Sequence, residues 1–181
     1  MLTKENIDLF KKVAQKLELR KNEFFVCENE CCDLIGVVES GTLYAYFEDA
    51  DGNFIVNELY GTNAIVTSYR SFSTGIASPA SIKVYSDAII YVVDKTSYNE
   101  LISEHKFLLL FKDIIEELFF NKCFKETSLV KLKARERYKA LIGTRTNVEQ
   151  DFPQHLIASY LKIRPETLSR LKSLDIHQGQ K

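Results

Sequence analysis

Tryptophan is absent from this 181-residue chain, and histidine, proline and glycine are scarce, at three, three and seven residues. So little Gly and Pro argues against a low-complexity chain. The first ten residues include Lys4, Glu5 and Asp8 and have no apolar centre, so we expect no signal peptide. Every uncharged run is shorter than the roughly 18 residues that span a bilayer. These absences predict a cytoplasmic globular protein without a membrane anchor.

Residues that would carry catalysis are also sparse. His105, His155 and His177 lie outside the predicted strands, so a metal triad of the cupin type has no ligands there. Neither a nucleophile elbow nor a phosphate-binding Gly loop occurs. We therefore do not expect an enzyme.

Cysteine is limited to four residues, Cys27, Cys31, Cys32 and Cys123. A four-thiolate metal or iron–sulfur site is conceivable from their number. However, adjacent cysteines on an extended strand point in different directions, and Cys123 falls within a long helix. We expect ordinary reduced thiols, and neither a metal nor a cofactor.

Charge of each sign is concentrated in a different part of the chain. Residues 1–121 hold 11 Lys and Arg against 19 Asp and Glu, a net charge of −8. Residues 122–181 hold 13 against 6, a net charge of +7. This segregation favours a polyanionic partner for the second part only, although a merely solvated basic surface is the alternative.

A long uninterrupted helix is predicted over residues 107–125. Apolar residues follow the spacing of one helix face at Phe107, Leu110, Phe111, Ile114, Ile115, Leu118 and Phe119. Phe120 and Phe124 add apolar surface beyond that stripe, so the helix is expected to be buried from two sides. We predict a dimer helix with a seam at Phe111, Ile114, Ile115 and Leu118. The alternative is the central helix of a single core.

The segment before this helix has the texture of a β domain. After an amphipathic helix over residues 3–18, with Thr3 as N-cap, about eight short strands are predicted. The clearest are residues 24–27, 34–38, 43–47, 54–60, 64–66, 80–85 and 89–93. Ser40-Gly41 separates two of them, and Asp51-Gly52 predicts a type I′ hairpin turn. Residues 67–79 form the one long irregular insertion, where a ligand site is expected.

Short helices are predicted on both sides of the long helix. Before it, Ser97-x-x-Glu100 is a capping box that opens a short helix. After it, residues 129–141 are predicted to form a helix. Asp151-Phe152-Pro153 and Pro165 each open a further helix. Two short helices with a tight turn and a polar, basic second helix are typical of a helix-turn-helix.

At this point the sequence resembles the Crp/Fnr family of bacterial transcription regulators. Four segments carry the resemblance: Ser40-Gly41 through Asp51-Gly52; Ala134-Arg135-Glu136-Arg137-Tyr138; residues 152–161; and residues 164–170. It implies an α+β fold, with an antiparallel, jelly-roll-like β-roll sensor domain over residues 1–105. A dimerisation helix over residues 106–128 and a helix-turn-helix domain without a clear wing over residues 129–181 would complete it.

The cyclic AMP cassette of the family is not present. Its Gly-Glu pair and its Arg-Ser/Thr-Ala run fall at Ser68-Tyr69 and at Ser78-Pro79-Ala80, so the acid and the arginine are both missing. Arg70 is a nearby basic residue without the rest of the cassette. If an effector binds, the resemblance implies Ser68, Tyr69, Arg70 and Ser78, and cyclic AMP is not the expected ligand.

The resemblance also implies how DNA would be contacted. The expected DNA-binding residues are Gln154, Arg164, Glu166, Thr167, Ser169, Arg170 and Lys172. Lys162 stands where the family usually has Gly, and Arg164 stands where it usually has a Ser or Thr N-cap. The implied partners are a palindromic operator, a second copy of the chain and RNA polymerase. The alternative is a sensor or protein-interaction module whose DNA reader is degenerate.

Overall fold

The computed structural model describes residues 2–178, and the side chains of the last helix as far as Ser173. The expectation that no wing follows this helix, and the side chain of His177, lie outside that range. Within it the order is α1 Lys4–Lys11, β1 Gln15–Leu19, β2 Phe24–Val26, β3 Leu34–Glu48, β4 Phe54–Tyr60, β5 Ile65–Val66, α2 Tyr69–Thr74, β6 Ser81–Asp94, α3 Lys95–Leu101, α4 His105–Lys131, α5 Ala134–Thr144, α6 Val148–Asp151, α7 Gln154–Tyr160 and α8 Pro165–Gln178. No helix in this range is long and apolar enough to cross a bilayer.

The strands form one antiparallel sheet in the order β1-β6-β3-β4, with β2 paired to β6 and β5 paired to β3. The sequence predicted two strands on either side of Ser40-Gly41, but β3 runs through this pair. Gly41 has φ +82°, and a Cβ there would lie 2.1 Å from the carbonyl oxygen of Asp87. Ser40-Gly41 is therefore a bulge at a close strand contact, not a turn. β6 likewise replaces two predicted strands.

The hairpin between β3 and β4 lies where the sequence predicted it but differs in type. Gly52 has φ +76°, whereas Asp51 is not among the residues with positive φ. The amide of Gly52 donates to the carbonyl of Asp49 at 2.9 Å, and the Asp49 carboxylate accepts from the Asp51 and Asn53 amides. This is a three-residue loop with Gly in the left-handed region, rather than a type I′ turn.

The predicted helix over residues 3–18 is wrong in its second half. α1 ends at Lys11, and residues 15–19 pair with β6 as an edge strand. Leu17 and Leu19 are half-buried on one face of this strand and pack against the sheet core. In residues 15–19, burial of every second side chain against the sheet therefore stabilises a strand more than the weak apolar pattern stabilises a helix. The predicted N-cap is present, because the Thr3 hydroxyl accepts from the Asn6 amide at 3.1 Å.

Four other helices differ from what the sequence predicted. Asp94, not Ser97, caps α3, since its carboxylate accepts from the Ser97 amide at 2.9 Å. α4 extends to Lys131, so α5 begins at Ala134 rather than near residue 129. The segment predicted to be irregular contains α2, which ends at Thr74 and is capped by Gly75 with φ +74°.

Three apolar clusters hold the chain together. The first lies within the sheet, around Leu43 and Ile90. The second joins α1, the sheet and the first half of α4, with Phe111 and Ile114 at its centre. The third belongs to α5–α8 but also includes Val56 and Leu59 of β4. The C-terminal helices therefore share a core with the edge of the sheet, which fixes where the helix-turn-helix lies.

Candidate nucleic-acid interface

α7, a short turn and α8 form the predicted helix-turn-helix. Lys162 has φ +54°, so the position where the resemblance expects Gly does adopt a left-handed conformation. The amide of Ile163 donates to the carbonyl of Ala158 at 3.0 Å, which closes the end of α7. A side chain at such a position costs about 1 kcal/mol relative to Gly. The turn forms despite this cost because α7 and α8 pack on a common core.

The core contact of α8 decides which of its faces is exposed. Leu168 is fully buried in the third apolar cluster, and Leu171 packs against that cluster from its edge. Glu166 and Arg170 project from the opposite side of the helix and are exposed. The Arg164 carbonyl accepts from the amides of Thr167 and Leu168, at 3.0 and 3.1 Å, in the first turn. A polar helix face is thus held out to solvent by one buried leucine.

The remaining predicted DNA-binding residues have mixed surroundings. Gln154, Arg164 and Ser169 are exposed, and Thr167 is half-buried. Lys172 differs from these, because its ammonium lies 2.6 Å from a carboxylate oxygen of Glu149.

The Glu149 carboxylate accepts hydrogen bonds from side chains of both α8 and α5. Besides the Lys172 contact, it accepts from the Tyr138 hydroxyl at 2.9 Å. Burial opposes its charge, but the hydrogen bonds from Lys172 and Tyr138 outweigh this and lower the pKa of Glu149. In this structure Lys172 therefore ties α8 to α6.

The helix-turn-helix docks on the free edge of β4 through directional hydrogen bonds. The Val56 amide donates to the Ser159 hydroxyl oxygen at 2.8 Å. The Arg145 guanidinium donates to the Leu59 carbonyl at 2.5 Å and to the Glu58 carboxylate at 2.7 Å. Burial opposes the charge of Arg145, but the Glu58 carboxylate outweighs it and raises the Arg145 pKa. We call Asn57, Glu58, Lys125, Arg145, Ser159 and Tyr160 the docking cluster.

Lys125 of α4 is the third part of this contact. Its side chain is 7% exposed, donates to the Asn57 carbonyl and places its ammonium 4.2 Å from the centre of the Tyr160 ring. Burial lowers the pKa of Lys125 to about 8. The sequence analysis did not single out Lys125, although it lies seven residues after Leu118 and so continues the buried stripe of the helix. That position was the available signal.

Two of the four predicted seam residues are already buried within the single chain. Phe111 and Ile114 are 1% and 0% exposed within the single chain, because they pack against α1 and the sheet. Ile115 and Leu118 are half-buried. The apolar residues of α4 that stay exposed are Leu108, Leu109, Phe119, Phe120, Phe124 and Val130.

The four predicted effector residues do not form one open site. Ser78 is 1% exposed, and its hydroxyl oxygen lies 2.8 Å from that of Ser68 and 2.7 Å from the Ala80 carbonyl oxygen. Tyr69 and Arg70 are exposed at the start of α2. The structure thus brings the two serines together and leaves the other two residues outside this contact.

Two shallow cavities lie elsewhere, beside α3. One, of about 310 Å³, is lined by Val13, Ser97, Glu100, Leu101 and Glu104. The other, of about 230 Å³, is lined by Tyr98, Ile102, Leu108, Phe111, Lys112, Ile115 and Glu116. Neither includes a predicted effector residue. All four cysteines are free, and no group of His, Cys, Asp and Glu in the described part of the chain is arranged to hold a metal ion.

Solved structures provide the comparison with known proteins. No protein-family model and no curated protein sequence matches the chain. FixK2 from Bradyrhizobium japonicum is similar at 17% identity, with 92% of this chain and 86% of that chain covered and a TM-score of 0.79. A CooA mutant from Carboxydothermus hydrogenoformans is similar at 17% identity, with 93% and 79% covered and a TM-score of 0.71.

A protein assigned to the crp/fnr family of transcriptional regulators, from Eubacterium rectale ATCC 33656, is similar at 15% identity. The alignment covers 97% of this chain and 85% of that chain, with a TM-score of 0.64. At such identities the likeness shows the fold alone. That fold is the one of Crp/Fnr regulators, so the expectation of an α+β fold of this type is confirmed.

Proposed function

We propose that this chain, which has the fold of Crp/Fnr transcription regulators, is a dimeric, sequence-specific DNA-binding regulator. The observation that carries the proposal is the orientation of α8. Leu168 faces the core, and Glu166, Ser169 and Arg170 are presented to solvent in a segment whose net charge is +7. A short polar helix exposed in this way matches the dimensions of the DNA major groove.

The proposed reading residues have complementary chemistry. Arg170 can donate two hydrogen bonds to guanine O6 and N7, and Glu166 can accept one from cytosine N4. Gln154, Arg164 and Thr167 are proposed to contact phosphates, which fix the register of the protein without reading sequence. Lys172 would join them only by exchanging the Glu149 carboxylate for a phosphate.

Dimerisation is proposed through the exposed apolar side of α4. Phe119 and Phe120 are 65% and 64% exposed in the single chain, and Leu108 and Ile115 extend the same surface. An apolar surface of this kind on a regular helix is favourable only when a partner covers it. A two-fold dimer would place two copies of α8 on a palindromic operator.

The signal is proposed to be something other than cyclic AMP. Ser78 occupies the place of the phosphate-binding arginine, and it is buried against Ser68 instead of facing a ligand. RNA polymerase is a further proposed partner, and we place the protein in the cytoplasm, where the operator would be.

In vitro selection from random duplexes tests this proposal directly. We expect the chain to enrich a palindromic motif, and Arg170→Ala to enrich a motif with one less conserved base pair in each half. Enrichment of no motif would instead favour the second candidate, a sensor or protein-interaction module with a degenerate reader. The left-handed Lys162 and the Lys172–Glu149 ion pair are the observations that support this second candidate.

A further inference from the structure

Three regions of the chain meet at the docking cluster. β4 supplies Asn57 and Glu58, and α4 supplies Lys125. The C-terminal helical region supplies Arg145, which directly follows α5, together with Ser159 and Tyr160 of α7. Two cations lie close to the Tyr160 ring, with the Lys125 ammonium 4.2 Å and the Arg145 guanidinium carbon 5.5 Å from its centre. The dimer helix, the sensor sheet and the helix-turn-helix are thus joined at one place.

We propose that Lys125, together with the Glu58–Arg145 pair, positions the DNA reader relative to the dimer helix and so sets the half-site spacing that the dimer accepts. This inference rests on the proposed function, because spacing has a meaning only for a DNA-binding dimer. Lys125 and Arg145 act here as positioning residues, since neither needs to touch DNA.

The apolar part of the contact cannot set this position by itself. Val56 and Leu59 are buried against the helix-turn-helix, but contacts between apolar side chains are not directional and allow the helices to shift along the strand. The hydrogen bond that the Val56 amide donates, and those that the carbonyls of Asn57 and Leu59 accept, fix the register residue by residue.

The buried charge itself points to a role in geometry. Taking an ammonium out of water is costly, and an apolar side chain of similar length could fill the same volume beside Tyr160. A lysine at this place is therefore a poor choice for stability alone. It is a good choice for specifying one arrangement, because its donor must meet one particular acceptor, the Asn57 carbonyl.

Docking leaves the reader open rather than covered. Gln154, Arg164, Glu166, Ser169 and Arg170 are all exposed while α7 is bound to β4. The contact is therefore assigned to positioning, and not to occlusion of the reading face.

Half-site spacing provides the test. The dimer is measured on duplexes that carry the selected half-sites at the preferred separation, at separations changed by one or two base pairs, and on a duplex with a single half-site. Each added base pair moves one half-site by about 3.4 Å and about a tenth of a turn. Wild type is expected to lose affinity steeply away from its preferred separation.

Lys125→Met keeps the length of the side chain and removes the ammonium. We expect it to bind the single half-site within about threefold of wild type and to lose at least about tenfold on the preferred two-site duplex, with a flattened spacing profile. Lys122→Met is the matched control, since Lys122 lies one turn earlier, is exposed and pairs with Glu126 at 3.4 Å. Its profile should equal that of wild type.

A second variant and a second measurement protect the test against misfolding. Glu58→Gln removes the carboxylate charge that faces Arg145, and it should flatten the spacing profile as Lys125→Met does. Hydrogen exchange of the Val56 amide should be faster in both variants, while exchange in β3 and β6 stays unchanged.

The outcomes separate the inference from the function on which it rests. An unchanged spacing profile in folded Lys125→Met and Glu58→Gln overturns the inference alone. An equal loss on every duplex, the single half-site included, overturns it as well, because that pattern indicates a general loss of structure or charge. If wild type selects no motif, the proposed function and this inference fail together.

Discussion

Single side chains of opposite character decide how the helix-turn-helix is held. Burial of Leu168 sets which face of α8 is exposed. Lys125 joins α4 to β4, because its buried ammonium donates to the Asn57 carbonyl. The burial of Leu168 is consistent with apolar spacing, because Leu171 follows it three residues later on the same helix face. The role of Lys125 depends on an acceptor 68 residues earlier in the chain, which no local pattern contains.

The depressed pKa of Lys125 predicts a pH-dependent stability. Its pKa is about 8 in the folded chain and about 10.5 when unfolded, so the unfolded chain binds more protons between these values. The stability of wild type relative to Lys125→Met should therefore rise with pH from 8 to 10.5, by on the order of 3 kcal/mol in total.

Urea unfolding of both proteins at pH 7, 8, 9 and 10 measures this difference. The other ionisable groups that act on the Lys125 charge, Glu58, Lys122, Arg145, Tyr160 and Lys162, are present in both proteins, so their own titration cancels to first order. A flat difference for Lys125→Met would contradict a lowered pKa.

Two arginines of the reader should respond differently to the same substitution. Arg170→Ala is expected to cost about 1–3 kcal/mol on the selected site and to relax specificity at one base pair of each half-site. Arg164→Ala removes the same charge from a proposed phosphate contact, so it should weaken all sequences alike and reduce the salt dependence. Binding isotherms on selected and scrambled duplexes at several salt concentrations distinguish the two. Equal behaviour of both variants would remove Arg170 from the reading face.

At the scale of elements, hydrophobic periodicity and turn residues predicted which segments are strands and which are helices, but not where each element begins and ends. The long helix, the hairpin and the helix-turn-helix lie in their predicted segments, although α4 continues to Lys131 and the hairpin turn is of another type. Ser40-Gly41 has the composition of a turn, but in the structure the missing Cβ of Gly41 allows β3 to pass close to the Asp87 carbonyl. The buried face of α4 follows from its apolar spacing, but periodicity alone does not distinguish burial in the chain's own core from burial against a partner. Phe111 and Ile114 are buried in the chain's own core.

The two sides of α4 therefore predict different mutant phenotypes. Phe119→Glu places a charge on the exposed apolar side and should give a folded monomer. Ile114→Glu places a charge in the core of the single chain and should unfold or aggregate it. Asn121→Glu is the control for Phe119→Glu, because it puts a carboxylate on an exposed position about 200° further around the helix. It should remain dimeric.

Sedimentation velocity at micromolar concentration, combined with circular dichroism, separates these three results. A wild-type chain that sediments as a monomer would contradict the proposed dimer. A Phe119→Glu variant that remains dimeric would show that the interface uses another surface.

At the scale of the whole molecule, the third apolar cluster ties together what the sequence divides by charge. The acidic and basic parts meet where Val56 and Leu59 of β4 enter the core of the C-terminal helices. Composition and order predicted a sensor part and a reader part. Their shared core was not predictable, because β4 and α7 are about 100 residues apart and each has an ordinary apolar pattern.

This shared core predicts that the reader does not fold independently of the sheet. Leu59 is 1% exposed, and Leu59→Ala should destabilise the chain by about 2–5 kcal/mol because it leaves a cavity between β4 and the helices. Leu19→Ala, at the opposite edge of the sheet, is half-buried and should cost less. A fragment of residues 129–181 lacks both β4 residues and should have little stable helix in circular dichroism. If the fragment alone is fully helical and unfolds cooperatively, the reader has a complete core of its own, and the contact with β4 then serves orientation without contributing to folding.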